Sequence, residues 1–240
     1  MHQRSKAIYG YRRVCSDVQS ECGAISPRMT LALMREENLR GKKGPKRRYP
    51  TQHAMPGILP KDLVNKRFYA SQPNAVLYTD IKFIRTKEGW RYLNIIQDAC
   101  TRRVLGWNLG KRCDTALTLT TLRSVLQRHA IPPNAIHHSD QGSTYVSDEY
   151  QRVLSAHGIQ QSCARGGGPG NGMMESLNGT IQVELLRGKR YASEHEARAD
   201  LRSYLLWYDT TRRHSSLGNK SPRDYAQMLN TSATSAGEDI

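Results

Sequence analysis

Acidic residues are scarce in this chain: 21 Asp and Glu stand against 36 Lys and Arg, a formal charge of +15 over 240 residues. Such an excess opposes compaction by self-repulsion and calls for an anionic partner. Nucleic acid leads, because each phosphate neutralised releases a counterion. A membrane surface is the alternative polyanion, but no basic amphipathic helix with a broad apolar face stands out. No run of roughly 18 apolar residues exists to span a bilayer either. Cys-x-x-Cys pairs are missing. The five cysteines (Cys15, Cys22, Cys100, Cys113 and Cys163) are scattered and odd in number, against a disulfide framework and for reduced thiols in a cytoplasmic compartment. Zinc-type spacing is absent too: His137 and His138 are adjacent, so on a strand they face opposite sides. The basic start, MHQRSKAIYGYRR, lacks the apolar run of a secretory signal. No internal repeat is present. What remains is a chain long enough for one good-sized core and a small accessory region.

The N-terminal part reads as two short helices. The first covers about Tyr9–Glu21 and stops near Gly23; the second starts at Ser26-Pro27, an N-cap followed by Pro at the first helical position. The pair is compatible with a helix-turn-helix or with a plain helical hairpin. A basic run, Arg40–Pro50, follows as a linker whose cations either track a phosphate backbone or stay solvated. From Asn74 the period changes. Val76–Ile84, Trp90–Ala99 and Arg103–Leu109 are rich in β-branched and aromatic residues and are joined by short turns, predicting an antiparallel meander. Asp114 caps a helix to about His129, Ala135–His138 is a short buried strand, and Ser147 caps a helix to about His157. Ile159–Cys163 is the last strand. The glycine-rich Gly166–Gly172 precedes a helix over Met173–Leu186, and a capping box at Ser193 and Glu196 opens a final helix to about Tyr208. The stretch after Met228 reads as disordered. The order β-β-β-α-β-α-β-α predicts an α/β fold: a ribonuclease-H-like mixed five-stranded sheet with helices on both faces, behind a small helix-turn-helix-like region.

Three carboxylates stand where carboxylates are costly or useful. Asp80 interrupts an apolar strand, flanked by Leu77, Tyr78, Ile81 and Phe83, and a buried carboxylate needs a partner. Asp140 follows directly on a strand, at the C-terminal sheet edge where α/β ligands bind. Glu175 sits in the first turn of the helix after the glycines. Three carboxylates from different elements at one sheet edge suit hard divalent cations such as Mg²⁺, with Mn²⁺ as substitute. Two such ions can hold the attacking and leaving oxygens of an in-line phosphoryl displacement. Other acids have plainer readings. Asp98 is a turn residue, Asp148 and Glu149 favour a helix dipole, and Glu184 and Glu194 read as solvated. Trp90 and Trp107 read as core or sheet-face residues.

The stretches YTDIKFI, GWRYLNIIQDACTRRVLGW, IHHSDQGSTYVSDEYQRVLSAHGI, MESLNGTIQVEL and YDTTRRHSSLGNKSPRDY, in that order over about residues 72–226, carry a resemblance. The chain resembles the DDE transposases of bacterial insertion sequences (the IS-three group), relatives of retroviral integrases. On that resemblance Asp80, Asp140 and Glu175 are the catalytic, metal-binding triad. It implies donor-end cleavage and joining to a target with DNA terminal repeats and target DNA as partners, in a homo-oligomer that holds two ends together. It further implies a bacterial, nucleoid-associated setting and a helix-turn-helix partner from an upstream reading frame, this chain being the downstream half. Residues expected to touch DNA are Lys82, Gln141, Asn178 and Gln182, with the cluster Arg187, Lys189 and Arg190. The domain reading is 1–48 helix-turn-helix-like, 49–71 linker, 72–190 catalytic core, 191–226 helical extension and 227–240 disordered tail.

Three departures from the group stand out. The Asp140–Glu175 interval of 34 residues is one short, with Gly170 where Asp is common. Gln182 replaces a usual Lys, and Asp209 a usual Asn. These keep two rivals open: a catalytically dead, DNA-binding derivative, and a nuclease of the same fold. Arg212, Arg213 and His214 match a motif of the group whose task the sequence does not reveal.

Overall fold

The computed structural model describes residues 2–42, 60–164 and 170–235. Most of the basic linker and the first four residues of Gly166–Gly172 therefore lie outside the described residues. Two N-terminal helices, α1 (Tyr11–Cys22) and α2 (Pro27–Glu36), pack on each other. Ser26 starts α2 as its composition predicts, Oγ accepting the Met29 N–H at 3.1 Å with Pro27 at the first helical position.

The core is a five-stranded sheet of order β3-β2-β1-β4-β5. Strands β1 (Val76–Thr86), β2 (Gly89–Asp98) and β3 (Val104–Gly110) form the expected antiparallel meander. Strands β4 (Ile136–Ser139) and β5 (Gln160–Cys163) add in parallel, β4 beside β1. Because side chains alternate along a strand, the sheet feeds two cores. Leu77 and Ile96 face α3 (Thr115–Arg128) and α4 (Asp148–Ala156) in one. Tyr78, Ile84, Leu93 and Ile95 face α5 (Gly172–Ile181) and α6 (Glu194–Thr210) in the other. Gly106 has a packing reason: a Cβ there would stand 2.5 Å from Val125 Cγ2, so glycine lets α3 close on β3.

Several expectations need correction. The helix predicted over Met173–Leu186 is α only to Ile181; a π-turn, Gln182–Leu186, completes it. Ser147 stands at the N-cap of α4 but its hydroxyl donates to the Thr144 carbonyl, leaving the helix start without a side-chain cap. The stretch read as disordered after Met228 is helical as far as it is described: α7 spans Pro222–Ser235, and residues 236–240 lie outside the described residues. Its start is set by Ser221, whose Oγ accepts the Asp224 N–H, with Pro222 first in the helix, and Leu229 packs against the core. Glu184 and Glu194 are not solvated. The Glu184 side chain, 7% exposed, takes two bonds from Arg212 at 2.7 and 2.8 Å and one from the Tyr204 hydroxyl. Glu194 accepts from Arg91 and Arg198. Arg212, Tyr204 and Arg91 sit on other elements, which the local sequence does not display; Arg198 is the i+4 neighbour of Glu194 on α6, a pairing the sequence does offer.

The same Glu184 ties the N-terminal helices down. Arg13 of α1 lies 3.7 Å from it, and Arg213 pairs with Asp17 while its N–H donates to the Tyr9 hydroxyl. α1 is thus fastened to the C-terminal motif.

Candidate active site

Asp80 stands on the α5 face of β1, beside Tyr78 in register with His138 of β4. Its Oδ1 accepts the Ile81 N–H at 2.8 Å, and its Oδ2 accepts the Asn178 amide of α5 at 2.7 Å. Asp140 leaves the end of β4, where Oδ1 accepts the Gly142 N–H at 3.0 Å. A Cβ on residue 142 would come within 2.9 Å of that oxygen, so a side chain there would push the Asp140 carboxylate out of this position. Burial, then the neighbouring Asp140, push the Asp80 carboxyl up to about 7, and burial raises Asp140 as well. Each of these pushes reflects negative charge held with little compensation. Lys82 approaches, but burial lowers its own affinity for a proton.

Helix α5 is seated by its first residues. Asn171 at its N-cap position donates its amide to the Thr79 carbonyl at 2.9 Å, and His138 Nε2 bonds the Gly170 carbonyl at 3.1 Å. The other nitrogen of His138 meets Ser162 Oγ at 2.8 Å; Ser162 Oγ accepts from the Leu63 N–H, so its own proton goes to Nδ1 and Nε2 carries the hydrogen given to Gly170. The histidine thereby joins the strand bearing Asp140 to the segment leading into α5. Glu175 lies in the first turn of α5, one turn before Asn178 on the same helical stripe. It makes no side-chain hydrogen bond or ion pair with a described residue. Among the described residues no three His, Cys, Asp or Glu side chains stand close enough to cage an ion. The structure therefore brings Asp80 and Asp140 together, with Glu175 on the helix whose Asn178 touches Asp80.

The donor set fits a hard divalent cation. Two partly buried carboxylates side by side, met by one amide and two backbone N–H groups, are short of positive charge and offer only oxygen ligands. Sequence reasoning places His138 and Ser139 beside the metal edge, either to tune it or to satisfy backbone groups, and His138 does the latter. It missed Asn171 as a seat for α5 and the exposed Cys113, whose thiol is raised by burial first and then by Asp114, Asp140 and Asp80. Of these two only Asn171 left a signal: the resembled group carries an Asp-Asn pair before the Glu, and Asn171 keeps its Asn beside Gly170.

The residues expected at DNA lie apart. Asn178 gives its amide to Asp80, and Gln141 donates to the Ala164 carbonyl at 2.9 Å. Gln182 is exposed at the start of the π-turn, on the Glu175 stripe. Lys189 pairs with Asp200, and Arg187 and Arg190 are exposed. Asp98 is the turn residue expected, accepting from the Asn74 and Thr101 N–H groups.

Comparison with known proteins agrees with this architecture. Two family models, each described as an integrase core domain, match residues 70–169 and 157–222. An insertion element IS600 uncharacterized 31 kDa protein of Shigella sonnei is 35% identical over 237 residues, covering 97% of this chain and 86% of that one. Transposase InsF for insertion sequence IS3A of Escherichia coli K12 is 32% identical over 225 residues, 92% of this chain and 78% of that one. The HTLV-2 integrase catalytic core domain in complex with magnesium, in its trimeric form, superposes with a TM-score of 0.52 at 16% identity, over 65% of this chain and 98% of that one. The simian T-cell lymphotropic virus intasome in complex with PP2A regulatory subunit B56 gamma gives 0.50 at 17% identity, over 87% and 72%. These last two speak for the fold. Among the described residues no helix is long and apolar enough to cross a membrane.

Proposed function

The chain belongs to the integrase-core family of insertion-sequence transposases, and from that premise we propose that it cuts and joins DNA strands by metal-dependent phosphoryl transfer. The observation that carries this reading is the Asp80–Asp140 pair, one on β1 and one just past the end of neighbouring β4, with Asp80 met from α5 by Asn178.

Asp80, Asp140 and Glu175 would hold Mg²⁺, or Mn²⁺ in its place, and the bound metal would supply charge stabilisation at the phosphate and an activated attacking oxygen. The chain's own groups do the rest. Asn178 fixes the rotamer of Asp80, and the Gly142 turn fixes that of Asp140. Asn171 and His138 hold the start of α5 over the sheet, so that Glu175 is presented from a seated helix. Lys82, Gln182, Arg187 and Arg190 are the groups we assign to the DNA backbone, where they would position the strand without reading its sequence. Gln141 spends one amide hydrogen on the Ala164 carbonyl and keeps the other for a phosphate oxygen. The attacking group is water for end cleavage and a DNA 3′-hydroxyl for joining, so no protein nucleophile is needed. The terminal repeats and target DNA are the substrates. Two ends must be held at once, which calls for a homo-oligomer, with an upstream-frame helix-turn-helix protein as a further partner.

A strand-transfer assay tests this, with labelled donor-end duplex, supercoiled target and Mg²⁺ or Mn²⁺. Wild type should make joined product and Glu175→Gln none. Equal joining by the variant would remove Glu175 from the site. Donor-end binding with no reaction, even with the upstream protein supplied, would replace the enzyme by a DNA-binding relic.

A further inference from the structure

A cavity of about 510 Å³ lies on the far side of α5 from Asp80. Met173, Ser176, Leu177 and Thr180 line it, one helical stripe, whereas Asn171, Glu175 and Asn178 follow the other. Its remaining walls bring together Arg13 of α1, Arg102 of the β2–β3 turn and Arg212 of the C-terminal motif that catalysis leaves without a task. Among the described residues no Asp or Glu lines it.

The three guanidinium groups are unequally neutralised. Arg212 is held in a two-bond pair by Glu184, whose carboxylate lies behind the wall and reaches Arg13 only at 3.7 Å. Arg102 forms no ion pair with a described residue. One of its terminal nitrogens donates to the Phe68 carbonyl at 3.1 Å, and its Nε is buried with no acceptor. His214 reports the resulting field: burial, then Arg212, Arg13 and Arg102, drive its pKa down to about 2. A buried cation without counter-charge is expensive, and the fork of an arginine matches a tetrahedral oxyanion. Ser176, Thr180 and Ser215 add hydroxyl donors, and Phe68 a flat apolar wall.

We propose that this cavity is a phosphate-binding site, separate from the carboxylate edge and assembled by α1, the β2–β3 turn and the motif around Arg212. Its ligand is a phosphate group, carried either by a DNA strand end or by a free phosphate compound. It stands whether or not the chain transfers strands, because its test reads binding alone.

Calorimetric titration of the full chain with inorganic pyrophosphate, at constant ionic strength, should give saturable binding. Arg102→Gln should weaken it about tenfold or more, the loss expected of a charge-assisted contact. Ser176→Glu, at an exposed helix position, should do the same by placing a carboxylate at the mouth, with the thermal melt showing it folded. Competition by a short 5′-phosphorylated single strand, but not by its unphosphorylated twin, assigns the site to a strand end. Lack of competition assigns it to a free phosphate compound. Absence of saturable binding by either ligand, or equal binding by wild type and both folded variants, would overturn the site.

Discussion

Asn178 reaches across from α5 to donate its side-chain amide to Asp80 Oδ2 at 2.7 Å, one helical turn after Glu175. This bond couples the helix bearing the third carboxylate to the strand bearing the first. Its geometry leaves Oδ2 with an acceptor direction still open, and it fixes which way that direction points.

Removing that bond should loosen the carboxylate rather than the fold. Supporting bonds to metal ligands are worth about 10–100-fold in metal affinity or activity. Asn178→Ala should therefore shift the Mn²⁺ concentration for half-maximal joining upward by about that factor, with the unfolding midpoint little changed. An unmoved metal titration would reduce the bond to packing.

Gly170 explains one departure from the family pattern. A Cβ there would stand 2.5 Å from Ala164 Cβ, closer than carbon atoms tolerate, so the side chain common at this position has no room. Gly170→Asp should cost about 1–3 kcal/mol, the usual penalty of overpacking. Ala164→Gly in the same chain should return part of it, and urea melts of the two single variants and the double variant measure the coupling. Strict additivity would show that the two positions are independent.

The elements themselves were largely legible, because period and capping are local. Ser26, Asp114 and Ser193 cap the helices expected of them, and the β-branched and aromatic run around Asp80 places β1 within two residues. Asp80 and Asp140 could be singled out because a carboxylate in an apolar strand and one just past a strand end are visible in a single line of sequence. Pairings that cross the chain were not. Glu184 looked solvated since its partner Arg212 lies 28 positions on, and the π-turn that carries it has no periodic signature. His138 is legible as a residue beside the metal edge that satisfies backbone groups, but not its partner, the Gly170 carbonyl 32 residues on. The α7 helix was hidden by a Ser- and Thr-rich composition that resembles a tail.

Glu184 should matter to stability well beyond an ordinary surface acid. Its side chain and that of Arg212 are 7% and 5% exposed, and removing one partner leaves the other buried and charged. Such breaks cost about 3–5 kcal/mol. Glu184→Ala should lower the unfolding free energy by that order, whereas Glu184→Leu with Arg212→Met should recover much of it. Equal losses in the single and double variants, read from denaturant melts, would show that packing volume rather than charge is at stake.

Asp209 gives the clearest pH signature away from the active edge. Burial raises its carboxyl to about 6, against the pull of the Val104 N–H, which it accepts at 2.9 Å, and of Arg103 and Arg223. A folded-state pKa above the ordinary carboxylate value means that the protonated form is favoured by folding. The stability it lends is full below about pH 4 and is lost as pH rises through about 6. Above that, the ionised group costs the fold on the order of 1–3 kcal/mol, the upper end being the whole shift at about 1.4 kcal/mol per unit. Asparagine keeps an oxygen for the Val104 N–H and carries no charge. Asp209→Asn should therefore stabilise the chain at pH 7.5 by that amount and lose its advantage toward pH 4. Melts at both pH values check the sign: a gain of equal size at each would trace the effect to packing, and a loss at pH 7.5 would mean that Arg103 and Arg223 neutralise the carboxylate fully.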